Sequence, residues 1–152
     1  MKAIKAFFST DTHSWPLFIA RLVLGIVILP HGMQKALGLF GGHGFSITLG
    51  FFESMGMPLI IGILVILAEF AGSIGTILGL GTRFMAFSIL LTMSGAMILG
   101  GHIHNGFFMN WLGMQKGEGI EYFILTIGLA LILIIGGGGK CAIDNIISKK
   151  LK

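Results

Sequence analysis

Four long stretches of the chain are almost free of charged residues, and they predict four membrane-spanning helices. The stretches cover about residues 16–37, 57–80, 84–101 and 119–136. At a rise of about 1.5 Å per residue each helix could cross a hydrocarbon core of about 30 Å, the third most narrowly. Soluble helices bury one apolar stripe, whereas these segments are apolar nearly all round. We therefore expect an all-α fold, an integral membrane four-helix bundle forming a single domain over residues 1–152.

Composition supports this prediction and excludes other classes of protein. Charged residues make up 11% of the chain, against about 25% in soluble domains. Four helices use up the 152 residues and leave no length for a separate soluble catalytic domain. The formal net charge of +4 is explained by membrane topology, so we expect contact with the lipid bilayer and no nucleic-acid partner.

The distribution of lysine and arginine predicts the orientation in the membrane. Only Lys35 and Lys116 lie toward one face. The other basic residues lie on the terminal tails, on the link between the second and third helices, or close to those ends: Lys2, Lys5, Arg21, Arg83, Lys140, Lys149, Lys150 and Lys152. Cytoplasmic loops carry the excess of positive charge. The sequence therefore predicts that both termini are cytoplasmic and that the two longer loops face outward.

Charged residues inside the apolar stretches are the first candidates for function, because they are costly in hydrocarbon. Arg21 and Lys35 are fourteen positions apart, about 40° around a helix, and His31 extends the same polar stripe. Glu69 lies near the middle of the second helix, where an unpaired carboxylate would cost on the order of 3 kcal/mol. We expect an intramembrane ion pair between Arg21 and Glu69. Such a pair could serve only to fix the helix register.

A second group of polar residues lies at the predicted outer ends of the helices. Imidazole, ammonium and carboxylate groups there could bind a polar ring such as a quinone and exchange its protons. Alternatively, they are interfacial anchors, since acidic residues favour a helix N-terminus without any chemistry. The candidate ligand-binding residues are His31, Gln34, Lys35, His102, His104, Asn105, Asn110, Glu118 and Glu121.

Metal and haem sites are weaker interpretations of the same histidines. His102 and His104 are two positions apart and would lie on different faces of a helix. His31 with His102 could ligate a haem, but no second pair of mid-membrane histidines accompanies them. We therefore expect no metal site and no haem. Cys141 is the single cysteine, so it forms no disulfide within the chain, and its role is undetermined.

Several motifs in order along the chain resemble the DoxX family of small bacterial and archaeal membrane proteins. The similarity covers about residues 15–144, and the motifs are specific only jointly. They are Arg21-Leu22-Val23-Leu24-Gly25, Pro30-His31-Gly32-Met33-Gln34-Lys35, Glu69, Leu78-Gly79-Leu80-Gly81-Thr82-Arg83, His102, Asn105-Gly106-Phe107-Phe108-Met109-Asn110-Trp111 and Gly117-Glu118-Gly119-Ile120-Glu121-Tyr122. Near the end of the chain Cys141 and Ala142 stand where the family often has an aromatic residue and a serine.

The resemblance implies a multi-pass protein of the bacterial or archaeal cytoplasmic membrane and links its namesake group to quinone-coupled oxidation. It favours a redox-associated subunit, such as a subunit of a quinone-linked oxidoreductase, that binds a quinone or a small substrate and works with a soluble redox partner. The alternatives are a non-enzymatic scaffold for soluble partners and a small transporter that uses Arg21 and Glu69. A homo-oligomer is compatible with the sequence. Residue patterns do not identify the ligand, the partner or any catalytic residue.

Overall fold

The computed structural model describes residues 2–151, with side chains from residue 5 onward. Lys152 and the side chain of Lys2, both used in the topology prediction, lie outside the described residues. The described part is helical without strands, which confirms the all-α fold. The helices are α1 Lys2–Phe8, α2 Trp15–Leu37, α3 Gly44–Ser54, α4 Leu59–Leu78, α5 Thr82–Leu99, α6 Glu121–Gly136 and α7 Ile143–Lys150, with a short 3-10 turn at His102–Asn105.

Four of these helices form the bundle, in which α2 and α5 each pack against both α4 and α6. Its interior is a continuous apolar core whose fully buried members include Leu24, Ile28, Ile89 and Leu133. The helices α2, α4 and α5 are long and apolar enough to cross a membrane. Helix α6 has 16 residues and spans about 24 Å. Large apolar side chains cover the outside of the bundle, as expected for a surface in contact with lipid.

Helices α2 and α4 approach each other closely where α2 carries glycine. A Cβ atom placed on Gly32 would lie 2.5 Å from the backbone carbonyl of Glu69 and 2.6 Å from the Cα atom of Phe70. Lipid supplies no hydrophobic drive for helix association, so contact through small residues takes its place. This contact fixes the level of Glu69 relative to the end of α2.

The two ends of the bundle differ. At the end that we call the cavity end, α2 and α5 finish while α4 and α6 begin. Helix α4 extends about 15 Å beyond Glu69 toward this end, whereas α2 extends only about 8 Å beyond Gly32. Helix α3 occupies the space beside the longer end of α4 and packs against both α2 and α4. The sequence predicted one of the two longer loops here, and the structure forms an eleven-residue helix within it.

The opposite end, which carries both chain termini, is held by buried charges that bond to backbone. Arg21 is 1% exposed and donates to the carbonyl oxygens of Ile77 at 2.5 Å and Lys140 at 3.1 Å. Asp144 accepts from the backbone N–H groups of Gly81 at 2.6 Å and Thr82 at 2.9 Å. The carboxylate therefore stabilises the N-terminus of α5.

Arg83 likewise bonds to backbone, at the C-terminal end of α6. Its guanidinium donates to the carbonyl oxygens of Ile134 and Ile135, both at 3.0 Å. The last carbonyls of a helix have no partner within the helix and form its negative end. Arg83 therefore stabilises the C-terminus of α6.

Candidate ligand site at the cavity end

An ion pair between α2 and α4 lies at the centre of the candidate site. The Nζ atom of Lys35 lies 2.5 Å from Oε2 of Glu69. The side chain of Glu69 is 3% exposed and that of Lys35 is 28% exposed. The expected pairing of Arg21 with Glu69 is therefore corrected: Lys35 neutralises the carboxylate, while Arg21 bonds to backbone at the other end of the bundle. The pair satisfies the charge that the membrane interior would otherwise penalise.

The ion pair opens into a cavity of about 330 Å³, which we call the ion-pair cavity. Its walls combine ionisable and polar groups with methionine and aromatic side chains, an arrangement typical of small-molecule sites. The lining residues are His31, Lys35, Glu69, Met93, Ala96, His102, Met109, Glu118, Tyr122 and Phe123.

Two pairs of rings form the sides of this cavity. The ring of His31 lies 5.8 Å from that of Tyr122 between their centroids, and His102 lies 4.6 Å from Phe123. Nδ1 of His102 is 2.8 Å from the carbonyl oxygen of Glu118. This contact fixes the plane of the imidazole and leaves Nε2 available to a ligand.

The hydroxyl of Tyr122 is buried and has no hydrogen-bond partner among the described residues. A buried hydroxyl without a partner costs free energy, and native structures satisfy nearly all such groups. Tyr122 lines the ion-pair cavity. A ligand oxygen reached by a small movement of the ring toward this cavity would supply the missing acceptor.

The segment between α5 and α6 folds over the cavity and is held by two carboxylates. Oε2 of Glu118 accepts from the backbone N–H of Asn110 at 2.6 Å, and Oε2 of Glu121 accepts from that of Met109 at 3.1 Å. The side-chain amide of Asn105 donates to the carbonyl of Glu118 at 3.1 Å. These contacts position Met109 over the ligand space.

The structure brings only part of the predicted outer cluster together. His31, Lys35, His102 and Glu118 line the ion-pair cavity, whereas Asn105, Asn110 and Glu121 hold the covering segment. His104 is exposed outside the cavity, and Gln34 lines a neighbouring one. From the sequence, Glu69 was expected to pair with Arg21, and Tyr122 was not among the candidate residues. The position of Tyr122 next to Glu121, at the start of the fourth predicted helix, was the signal that could have identified it.

The neighbouring cavity, of about 300 Å³, lies where the segment between α2 and α3 folds back. We call it the loop cavity. Gln34 holds the segment by donating to the carbonyl of Phe40 at 3.1 Å. The lining residues are Gln34, Lys35, Gly41, Gly42, His43, Thr48, Phe51 and Phe52. Lys35 therefore faces both cavities.

The ion-pair cavity offers hydrogen-bond donors and a proton-exchanging group beside an apolar surface. Lys35 can donate to a carbonyl oxygen, His31 and His102 can donate or accept, and the carboxylate of Glu69 can accept. Within residues 2–151 no three side chains of His, Cys, Asp or Glu converge in a metal-ligating arrangement. The donor set fits an organic ligand that carries oxygen atoms.

Known proteins place the chain in a family. The DoxX family model matches residues 16–102, more than half of the chain. "Inner membrane protein YqjF" of Escherichia coli is 32% identical over 133 residues, covering 87% of this chain and 92% of that relative. An uncharacterized protein of Haemophilus influenzae is 32% identical over 146 residues and is covered over 94% of its length.

A third relative carries an activity in its name. "Putative oxidoreductase CatD" of Bacillus subtilis is 31% identical over 80 residues, and the match spans about half of each chain, 53% of this one and 55% of CatD. No solved structure matches the chain significantly. The family match and the extended similarity to the inner membrane protein agree with the helical bundle. The chain therefore belongs to the DoxX family and is a multi-pass protein of the cytoplasmic membrane.

Proposed function

We propose that the protein is a redox-associated membrane subunit that binds a quinone ring in the ion-pair cavity. The buried Tyr122 hydroxyl, unpartnered among the described residues, carries the proposal. One quinone oxygen would accept from this hydroxyl, and the other would accept from Lys35 or His102. The name of the Bacillus subtilis relative supports an oxidoreductase.

The residues of the cavity also fit the protons of quinone chemistry. Reduction of a quinone to a quinol takes up two electrons and two protons. In the proposed role a soluble partner protein supplies the electrons, while Lys35, Glu69 and His31 hold and pass the protons. Met93 and Phe123 provide the apolar surface for the ring. In the proposed role, the lipid around the bundle would limit water at the apolar sides of the cavity.

Binding of short-chain quinones tests this proposal. The detergent-purified protein is titrated with a short-chain ubiquinone and a short-chain menaquinone, and affinity is measured by calorimetry. Tyr122→Phe removes only the hydroxyl and should weaken binding about tenfold, because a hydrogen bond is lost in a water-poor site. His104→Ala, on an exposed histidine outside the cavity, is the matched control. Absence of binding, or equal affinity of the Tyr122→Phe variant, would reject the proposal.

A second candidate function, a scaffold for soluble partners, is favoured by the tip of the segment between α5 and α6. Trp111 is 85% exposed and Met114 is 80% exposed. Isolation in a mild detergent separates the two functions: a stoichiometric soluble partner in a sample that binds no quinone would favour the scaffold. The transporter alternative would have to use Arg21 and Glu69 separately, because Glu69 pairs with Lys35 and Arg21 donates to the carbonyl oxygen of Ile77.

A further inference from the structure

We propose that the loop cavity is a second ligand site and binds a phosphate group, carried by a lipid headgroup or as the free ion. The site lies across Lys35 from the ion-pair cavity, and its proposal does not rest on the proposed quinone site. Its walls contain one ammonium, one imidazole, one amide and one hydroxyl, and no carboxylate. Glu69 lines only the ion-pair cavity. This donor set favours an oxyanion.

Lys35 supplies ammonium N–H donors to this cavity. An ammonium group has three N–H donors, and one is directed to Glu69. The side chain retains 28% exposure and lines the loop cavity, so the other donors can reach a ligand there. The ring of His43 adds a further donor at the rim.

Helix α3 adds backbone donors. It begins at Gly44, directly after His43, and His43 makes no side-chain hydrogen bond that would cap the first turn. The first N–H groups of a helix lack partners within the helix and carry its positive end, which makes an uncapped helix start a favourable place for an anion. The eleven residues of α3 are sufficient for this effect.

Thr48 points independently to a ligand. Its side chain lines the loop cavity, and the residue is 8% exposed. In the part of the chain that the structure describes, we find no hydrogen bond from its hydroxyl. A hydroxyl without a protein partner at the wall of a donor-rich cavity is suited to donate to an oxyanion.

The position of the cavity suits a phosphate at the membrane surface. Apolar side chains on the exposed side of α3, including Phe45, Ile47 and Phe51, have the exposure expected for contact with lipid. The cavity lies at the helix ends, the depth at which phospholipid headgroups are found. Lipid phosphate and free phosphate would use the same donors.

Two binding experiments distinguish these sources. In phosphate-free detergent, inorganic phosphate is titrated into the purified protein by calorimetry. In parallel, native mass spectrometry measures retention of phosphatidylglycerol, with diacylglycerol as the matched lipid without phosphate. Binding in the first experiment identifies the free ion, and selective retention of phosphatidylglycerol identifies the lipid headgroup. No binding in both would overturn the proposal.

Variants connect that binding to the loop cavity. Thr48→Val keeps the shape of the side chain and His43→Ala changes a loop residue, and each should weaken phosphate binding about tenfold. Ser46→Ala, on the exposed face of α3, should have no effect. Unchanged affinity in both loop-cavity variants would reject the site. Quinone affinity should be unchanged by Thr48→Val, so failure of quinone binding and failure of phosphate binding can be told apart.

Discussion

Lys35 on α2 and Glu69 on α4 form an ion pair with 2.5 Å between Nζ and Oε2. Charged groups bonded in this way within a membrane bundle stabilise it only as a pair, since removal of one partner leaves the other uncompensated. The same two residues therefore hold α2 against α4 and line the ion-pair cavity.

Removal of either partner should destabilise the protein, and the two losses should not add. Lys35→Met or Glu69→Gln alone should lower the free energy of unfolding by about 2 kcal/mol, below the range for fully buried pairs because Lys35 is partly exposed. The double variant should lose less than the sum of the two. Unfolding in SDS measures these values, with the exposed Glu53→Gln as control; additive losses would contradict the coupling.

Arg21 and Glu69, in contrast, should behave independently. Between Ile77, which accepts from Arg21, and Glu69, helix α4 rises about 12 Å. Changes at separate sites usually add within about 0.5 kcal/mol. Stability of Arg21→Gln, Glu69→Gln and the double variant measures this relationship. Coupling well above that limit would restore the pairing expected from sequence.

Alanine at Gly32 should separate α2 from α4. Its Cβ atom would overlap the backbone of Glu69, and forced overpacking costs about 1–3 kcal/mol. Gly128→Ala is the matched control on α6, because nothing lies within 4 Å of a Cβ atom there. That variant should retain or raise the melting temperature, since alanine favours a helix. Equal melting temperatures for the two variants would contradict the close contact.

The carboxylate of Asp144 should stabilise the start of α5 by its charge and by its two hydrogen bonds. Asp144→Ala should lower the free energy of unfolding by about 1–2 kcal/mol, and Asp144→Asn should lower it less. Denaturation in detergent compares these variants with Asp11→Ala, which alters an exposed aspartate that accepts from the backbone N–H of His13. A loss no greater than that of Asp11→Ala would exclude capping by Asp144.

The predicted orientation can be tested with the native cysteine. Cys141 is exposed and lies at the end that carries the chain termini, so we expect it to face the cytoplasm. A membrane-impermeant maleimide should label it in inside-out vesicles and not in intact spheroplasts. A Cys141→Ser variant provides the background signal. Labelling from outside the cell would reverse the topology.

Hydropathy alone was sufficient for the fold class, because each bundle helix is apolar over most of its length. Helix α3 could not be recognised in this way. Its eleven residues are too few to span a membrane, and they form a helix by packing into the space between α2 and α4. Such support is tertiary and leaves little local signal.

Candidate residues were predicted better than their partners. Sequence places His31, Lys35 and His102 near helix ends, and all three line one cavity. Arg21 and Lys35 lie on one stripe of α2, so the sequence allowed either of them to face Glu69. The contact at Gly32 fixes the position of α4 along α2, and this position brings Lys35, not Arg21, to Glu69.

The contact between Gly32 and Glu69 also determines how the ion-pair cavity can be reached. The backbones of α2 and α4 are in contact at that level, so no lateral gap remains between the two helices. On the adjacent side of α2, the exposed His31 faces Tyr122 of α6. We therefore expect a lipid-soluble molecule to enter the cavity from within the bilayer between α2 and α6, past these two rings and with the ion pair intact.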